Sequence, residues 1–279
     1  MFKYKSKGYH AFQFFKYTNF ASATIPNMLP MFYGVNHNLR TGIHLIKYLQ
    51  ENGYITGQTT DLCSKDLGEL YLNNKHDEKD NFTFIEFDHE NLAMFCDPNY
   101  YTSLGSHGLL LNGPYSLIRR CLYGKDIFDY QIEYAKQFWE AYPDNRKYFR
   151  LGINLGHESS FELIKYFDDP LYDFLTDFYQ NGYFKDTAVF ILSDHGNQMP
   201  FIYNIIGSED YDLERNLGTL FIIFPNKKNN MDQFYKNIYK NQQTFITPYD
   251  IHDTIIHICY GIEKYDSDGN RNNFPYTTY

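Results

Sequence analysis

An α/β fold, with a mostly parallel sheet covered by helices on both faces, is what the sequence predicts, from three observations. Thr187-Ala-Val-Phe-Ile-Leu-Ser193 is β-branched and apolar throughout, the pattern of a strand buried on both faces. Leu217 to Phe224 repeats that character and stops at Pro225. Segments of helical periodicity lie between such runs, and alternation of this kind builds βαβ units.

Each element has its own signal. His44 to Asn52 reads as the end of a helix, with Leu45, Ile46 and Leu49 on one face and Gly53 as its stop. Tyr54 to Thr60 follows as a short strand. Residues 61–124 are rich in Asn, Asp and Gly and are expected to form an irregular insertion. Asp126 to Tyr142 is helical in pattern and ends before Pro143. Tyr148 to Leu155 is a strand, and Ser160 to Gln180 is helical, restarted or kinked at Pro170. Residues 248–260 close with a helix that repeats Ile251, Ile255, Ile256 and Cys259 at helical spacing. With no internal repeat and no Pro/Gly/Ser-rich linker, residues 1–279 are expected to form one domain.

Composition narrows the function. The formal net charge is -9 and no basic cluster stands out, which argues against nucleic acid as a partner. No run of 18 apolar residues spans a membrane, and Met1 to Lys7 has no apolar segment behind it to make a signal peptide. Cys63, Cys96, Cys121 and Cys259 contain no CxxC pair, against a structural zinc site, and leave disulfides and free thiols equally open. Aromatic residues make up 19%, read as compositional bias; a surface stacking sugars or bases would need exposed rings.

Three segments carry chemistry. Ser193-Asp194-His195-Gly196 ends the buried strand, and in open parallel sheets ligands gather at carboxyl ends of strands. There Asp194 and His195 offer one oxygen and one nitrogen to a divalent cation, against the plainer roles of a cap and a rim side chain. His157 follows the strand that ends near Leu155, either as a second metal-site residue or as an ordinary turn residue. Ser22 and Thr24 stand where a helix begins, with Pro26 in its first turn. A Thr hydroxyl there has free amides and a positive dipole end beside it, which suits attack on phosphate or sulfate; the plainer role is an N-cap.

Taken together these segments resemble the alkaline phosphatase and sulfatase superfamily, in particular its sulfatase-like eukaryotic branch. Thr24-Ile25-Pro26-Asn27 with Met31-Phe32-Tyr33-Gly34 is similar to the nucleophile segment, and Gly156-His157-Glu158 to a metal turn. Ser193-Asp194-His195-Gly196 matches the most specific signature, and Thr247-Pro248-Tyr249-Asp250-Ile251 with Thr254-Ile255 a C-terminal segment. The resemblance implies an alkaline phosphatase-like fold and a hydrolase of phosphate or sulfate esters, on a small molecule, glycan or lipid. It implies Thr24 as nucleophile and metal ligand, Asp194 and His195 on the same metal, and His157 on a second. The cofactor implied is a divalent metal, zinc or calcium, as up to two ions. A phosphoalcohol transferase uses the same parts, and a binding-only relative keeps the fold without turnover. The branch also implies a secreted, lumenal or membrane-anchored protein. The family's first strand ends in a metal-binding Asp, whereas no Asp or Glu precedes Thr24 here. The expectation is therefore an N-terminally incomplete domain or a pseudoenzyme.

Overall fold

The computed structural model describes residues 9–21, 23–34, 44–61, 86–91, 121–156, 162–196, 208–225 and 232–260. Strand β1 (Tyr9–Gln13) leads to helix α1 (Thr24–Tyr33) and α2 (Leu45–Glu51), then β2 (Ile55–Thr60) and β3 (His89–Asn91). A hairpin of β4 (Cys121–Leu122) and β5 (Lys125–Asp126) runs into α3 (Ile127–Ala141), and β6 (Lys147–Gly152) follows. A 3-10 turn (Leu163–Phe167) enters α4 (Asp168–Gln180), which leads to β7 (Val189–Leu192), α5 (Ser208–Asn216), β8 (Leu220–Pro225), α6 (Asp232–Asn241) and α7 (Pro248–Tyr260).

Local chemistry accounts for these boundaries. His44 is the N-cap of α2, its Nδ1 accepting from the Ile46 N–H at 3.1 Å. Gly53, at φ 77°, takes the left-handed turn that follows the helix. Tyr123 and Gly124, at φ 49° and 84°, supply the two left-handed residues of a tight hairpin between β4 and β5. Pro170 sits in the first turn of α4, where its missing N–H costs nothing.

The strands form three sheets. One is parallel, ordered β3-β2-β6; another is antiparallel, ordered β1-β8-β7; the third is the β4-β5 hairpin. The expected mostly parallel sheet is thus corrected: the parallel part is small, and β7 pairs antiparallel with β8. β7 is also less buried than its composition predicts, all four residues being half-buried, and among the described residues only one of its edges is paired. The span 61–124 contributes β3, which pairs parallel with β2 from Gly57–His89 to Thr59–Asn91.

Two apolar layers cover these sheets. Leu220, Ile222 and Phe224 of β8 join Leu45, Ile46 and Leu49 of α2 and Ile251, Ile255 and Ile256 of α7. Ile223, on the opposite side of β8, joins Phe138 and Trp139 of α3 and Phe178 of α4. The aromatic richness is largely spent here, in edge and tilted ring contacts such as Trp139–Phe178 at 5.2 Å. Cys259 is a free thiol beside Tyr54, its pKa pushed up to about 11, chiefly by burial. Cys63 and Cys96 lie outside the described residues. Among the described residues no helix is long and apolar enough to cross a membrane.

Two buried titratable groups oppose each other. Burial, reinforced by His252 and Lys47, lowers the His44 pKa to about 4. Burial raises that of Asp61, at the end of β2, to about 6, with Asn154 hydrogen bonds acting against the shift. Between pH 6.5 and 4 the unfolded chain takes up a proton at residue 44 that the folded chain refuses, so His44 lowers stability as pH falls. Between pH 6 and 3.8 the folded chain takes up a proton at residue 61 that the unfolded chain refuses, so Asp61 raises stability as pH falls. Urea midpoints measured from pH 7 to 4 should separate the two. Relative to the parent, His44→Asn should gain stability towards pH 4, and Asp61→Asn should lose it.

Candidate functional site

β1 and β7 both pair with β8 antiparallel, so both chains leave the sheet at the edge where β8 begins. Past β1, Tyr17 bridges to Ile246 and Thr18 to Leu217, and Asn19 donates from its backbone to Asn216 O at 3.1 Å. Thr24 then opens α1 as its first helical residue. The N-cap is Ala23, in extended conformation and without a side-chain cap, so Thr24 is not the helix cap. Its hydroxyl is directed elsewhere: Thr24 Oγ1 lies 3.4 Å from His195 Nε2.

Past β7, Ser193 locks the strand end to Thr219. Its N–H donates to Thr219 O at 3.0 Å, and its Oγ accepts from the Thr219 N–H at 2.8 Å. Gly196 donates to Arg215 O at 3.0 Å, and a Cβ on it would stand 1.7 Å from Glu214 O. Glycine is needed there because α5 presses against the backbone. Between these anchors stand Asp194 and His195, with side chains 22% and 9% exposed.

The ring of His195 has a definite polarity. Its Nδ1 lies 2.6 Å from Gly196 O, which can only accept, so Nδ1 carries a proton, and in the neutral ring Nε2 is then the nitrogen with the lone pair. Nε2 faces Thr24 Oγ1 at 3.4 Å and Asp194 Oδ2 also at 3.4 Å. A carboxylate oxygen and an imidazole lone pair repel unless a proton or a cation lies between them. Donors about 2.0–2.2 Å from a tetrahedral cation stand about 3.4 Å apart, so this spacing fits metal ligation. Tyr17 supports the same reading: its buried hydroxyl has no hydrogen-bond partner, and burial, then Asp194, raise its pKa. The donors present fit a divalent cation in type and spacing. In number they fall short, since no group of three or more His, Cys, Asp or Glu side chains gathers among the described residues.

Thr24, Asp194 and His195 are therefore brought together. His157 lies outside the described residues, although Asn154 and Gly156 just before it line the same cleft as the other three.

Residues 112–277, more than half of the chain, match the family described as "Protein of unknown function (DUF229)". The chain belongs to this family. No curated protein sequence matches it. Among solved structures it is similar to the integral membrane lipooligosaccharide phosphoethanolamine transferase A (EptA) from Neisseria meningitidis, with TM-score 0.53 and 10% identity over 89% of this chain and 48% of that one. It is also similar to the lipoteichoic acid synthase LtaP from Listeria monocytogenes, with TM-score 0.48 and 15% identity over 79% of this chain and 58% of that one. The DUF229 chain thus spans about half the length of the structures it matches, and its fold is similar to that of the phosphoethanolamine transferase.

Two positioning residues of this DUF229 chain escape a reading by motif. Asp61 is buried and accepts from the Asn154 N–H, fixing the turn after β6; it follows the mostly polar strand Ile55–Thr60, and no local pattern marks it. Asn27 is fully buried within α1. Its Oδ1 accepts from the N–H groups of Phe20 and Ala21 at 2.7 and 3.2 Å, and its Nδ2 donates to Ala21 O and Ala23 O at 2.6 and 2.9 Å. The turn that delivers Thr24 is thereby built on one amide. Asn27→Ala should lower unfolding stability by roughly 2 kcal/mol, read as a urea midpoint shift, and Asn27→Asp, which sets a buried carboxylate oxygen against the Ala21 and Ala23 carbonyls, should lose at least as much.

Proposed function

We propose that this chain is a metal-dependent enzyme acting on phosphate or sulfate esters, with Thr24 as nucleophile and Asp194 and His195 holding a divalent cation. His157 is assigned to a second cation. The observation that carries this reading is the position of His195 Nε2, 3.4 Å from both the Asp194 carboxylate and the Thr24 hydroxyl. A bound divalent cation supplies Lewis-acid polarisation and favours the deprotonated hydroxyl.

The chain's own residues do the rest. Thr24 Oγ1 forms the bond to phosphorus or sulfur, giving up its proton, and the ester alcohol departs with the bonding electrons and a proton. The positive end of the α1 dipole, where Thr24 stands, would favour the negative charge that builds on the transferred group. Water attacking the Thr24 adduct completes hydrolysis, and an acceptor alcohol attacking it completes a transfer. Likeness to a fold that includes a phosphoethanolamine transferase keeps the second outcome within the proposal.

A binding-only relative is the second reading, favoured by the short donor set. The two separate by metal content and turnover together. Residues 1–279 should retain divalent metal weakly, with slow hydrolysis of nitrophenyl phosphate, phosphodiester or sulfate probes that chelation abolishes. Thr24→Ala should remove turnover and leave the unfolding midpoint and most metal binding intact, while Thr24→Ser should keep part of the rate. Turnover by Thr24→Ala equal to the parent would refute the nucleophile, and metal binding without any turnover would support the binding-only reading.

A further inference from the structure

The ring of Tyr17 is fully buried in the cluster shared by β8, α2 and α7, yet its hydroxyl has no hydrogen-bond partner. Packing alone does not call for that oxygen, since Phe12, Phe14 and Phe224 fill the same cluster without one. A buried hydroxyl left unpaired costs free energy. Phenylalanine would therefore serve the core better, and the oxygen of Tyr17 needs another explanation.

The backbone fixes where the ring goes. Tyr17 bridges to Ile246, the Thr18 N–H donates to Ile246 O at 2.8 Å, and Thr18 Oγ1 donates to Asn216 O at 3.1 Å. The ring edge lies against Gly218, where a Cβ would stand 3.0 Å from two ring carbons and 3.1 Å from Ser193 Oγ. Tyr17 and Ser193 thus flank the same glycine, at the end of β7 where Asp194 follows. The hydroxyl feels the charge of Asp194: burial first, then that charge, push its pKa up, so the oxygen keeps its proton and is a donor.

Asp194 has the complementary need. Its Oδ2 lies 3.4 Å from His195 Nε2, and beyond that approach no hydrogen bond reaches its carboxylate among the described residues. Carboxylates that ligate a cation are normally hydrogen-bonded in turn, and those outer partners orient them.

We propose that Tyr17 is a positioning residue of the site, its hydroxyl donating to the Asp194 carboxylate and holding it in the orientation that ligates a divalent cation. This role rests on the assignment of Asp194 and His195 to a cation. The bond forms together with cation binding, so its free energy appears in the affinity for the cation rather than in the stability of the fold.

The experiment compares the full 279-residue protein with its Tyr17→Phe variant, using zinc ion alone as the probe. Calorimetric titration gives the zinc affinity, and urea midpoints in EDTA give the stability of the fold. Tyr17→Phe should bind zinc about tenfold to a hundredfold more weakly. Its midpoint in EDTA should be unchanged or higher, because the oxygen it loses is unpaired there. Added zinc should raise no phenolate absorption in the parent. Equal zinc affinity in the two proteins overturns the role of Tyr17 and leaves the metal reading standing. A phenolate band that appears with zinc and is missing in Tyr17→Phe also overturns it, since Tyr17 would then be a ligand itself. A lowered midpoint in EDTA assigns the hydroxyl to the fold and overturns the proposal as well. Absence of zinc binding by the parent overturns the metal reading, and the role of Tyr17 with it.

Discussion

Strand β8 is the element on which the site depends. Its two ladders are antiparallel, to β1 from Tyr9–Pro225 to Gln13–Phe221 and to β7 from Val189–Ile223 to Leu192–Leu220. Antiparallel pairing on both sides sends β1 and β7 off the sheet at one edge, and residues separated by some 170 positions in sequence meet there. The backbone of residues 215–219 then binds both departing chains, through Thr18, Asn19, Ser193 and Gly196. Thr24 reaches His195 because of these bonds rather than through any attraction of its own, since a contact of 3.4 Å is at the weak limit of a hydrogen bond.

Around that hub polar groups are used for placement. Asn27 bonds the turn before Thr24, Ser193 bonds Thr219, and Asp61 bonds Asn154, so three strand or helix ends are each fixed by one side chain. Tyr17, Asn19 and Arg215 each leave one buried polar atom without a hydrogen-bond partner among the described residues. Unsatisfied buried groups cost free energy, and of these the Tyr17 hydroxyl feels the charge of Asp194.

Helices α2, α3, α4 and α7 were legible because their signals are local, whereas α5 and α6 were not read from the sequence. Gly53 and Pro143 mark ends, Asp126 and Pro170 mark starts, and Ile251 to Ile256 mark the buried face of α7. The Ser193–Gly196 turn was legible for the same reason, as four adjacent residues at a strand end. Pairing partners were not. Val-Phe-Ile-Leu in β7 reads as a strand between two parallel neighbours, yet the same residues serve a strand with one antiparallel neighbour and apolar layers on both faces. Tyr9 to Gln13 carries no period that names β8, more than 200 residues away, as its partner. Asn27 and Asp61 were invisible because a buried amide or carboxylate looks like any other polar residue until its partners are known.

The apolar character of β7 is a consequence of its position next to the cleft. Edge strands exposed to solvent are normally guarded by charge or proline, and β6 follows that pattern in part with Lys147 and Arg150, whose guanidinium also lies 5.3 Å over the Phe32 ring of α1. β7 has no such guard: Val189, Phe190, Ile191 and Leu192 all line the cleft and none is fully buried. The same strand continues into Asp194 and His195. The ladder to β8 that holds this strand therefore also steadies the turn that orients the two side chains, so the packing of the sheet and the geometry of the site are a single problem in this fold.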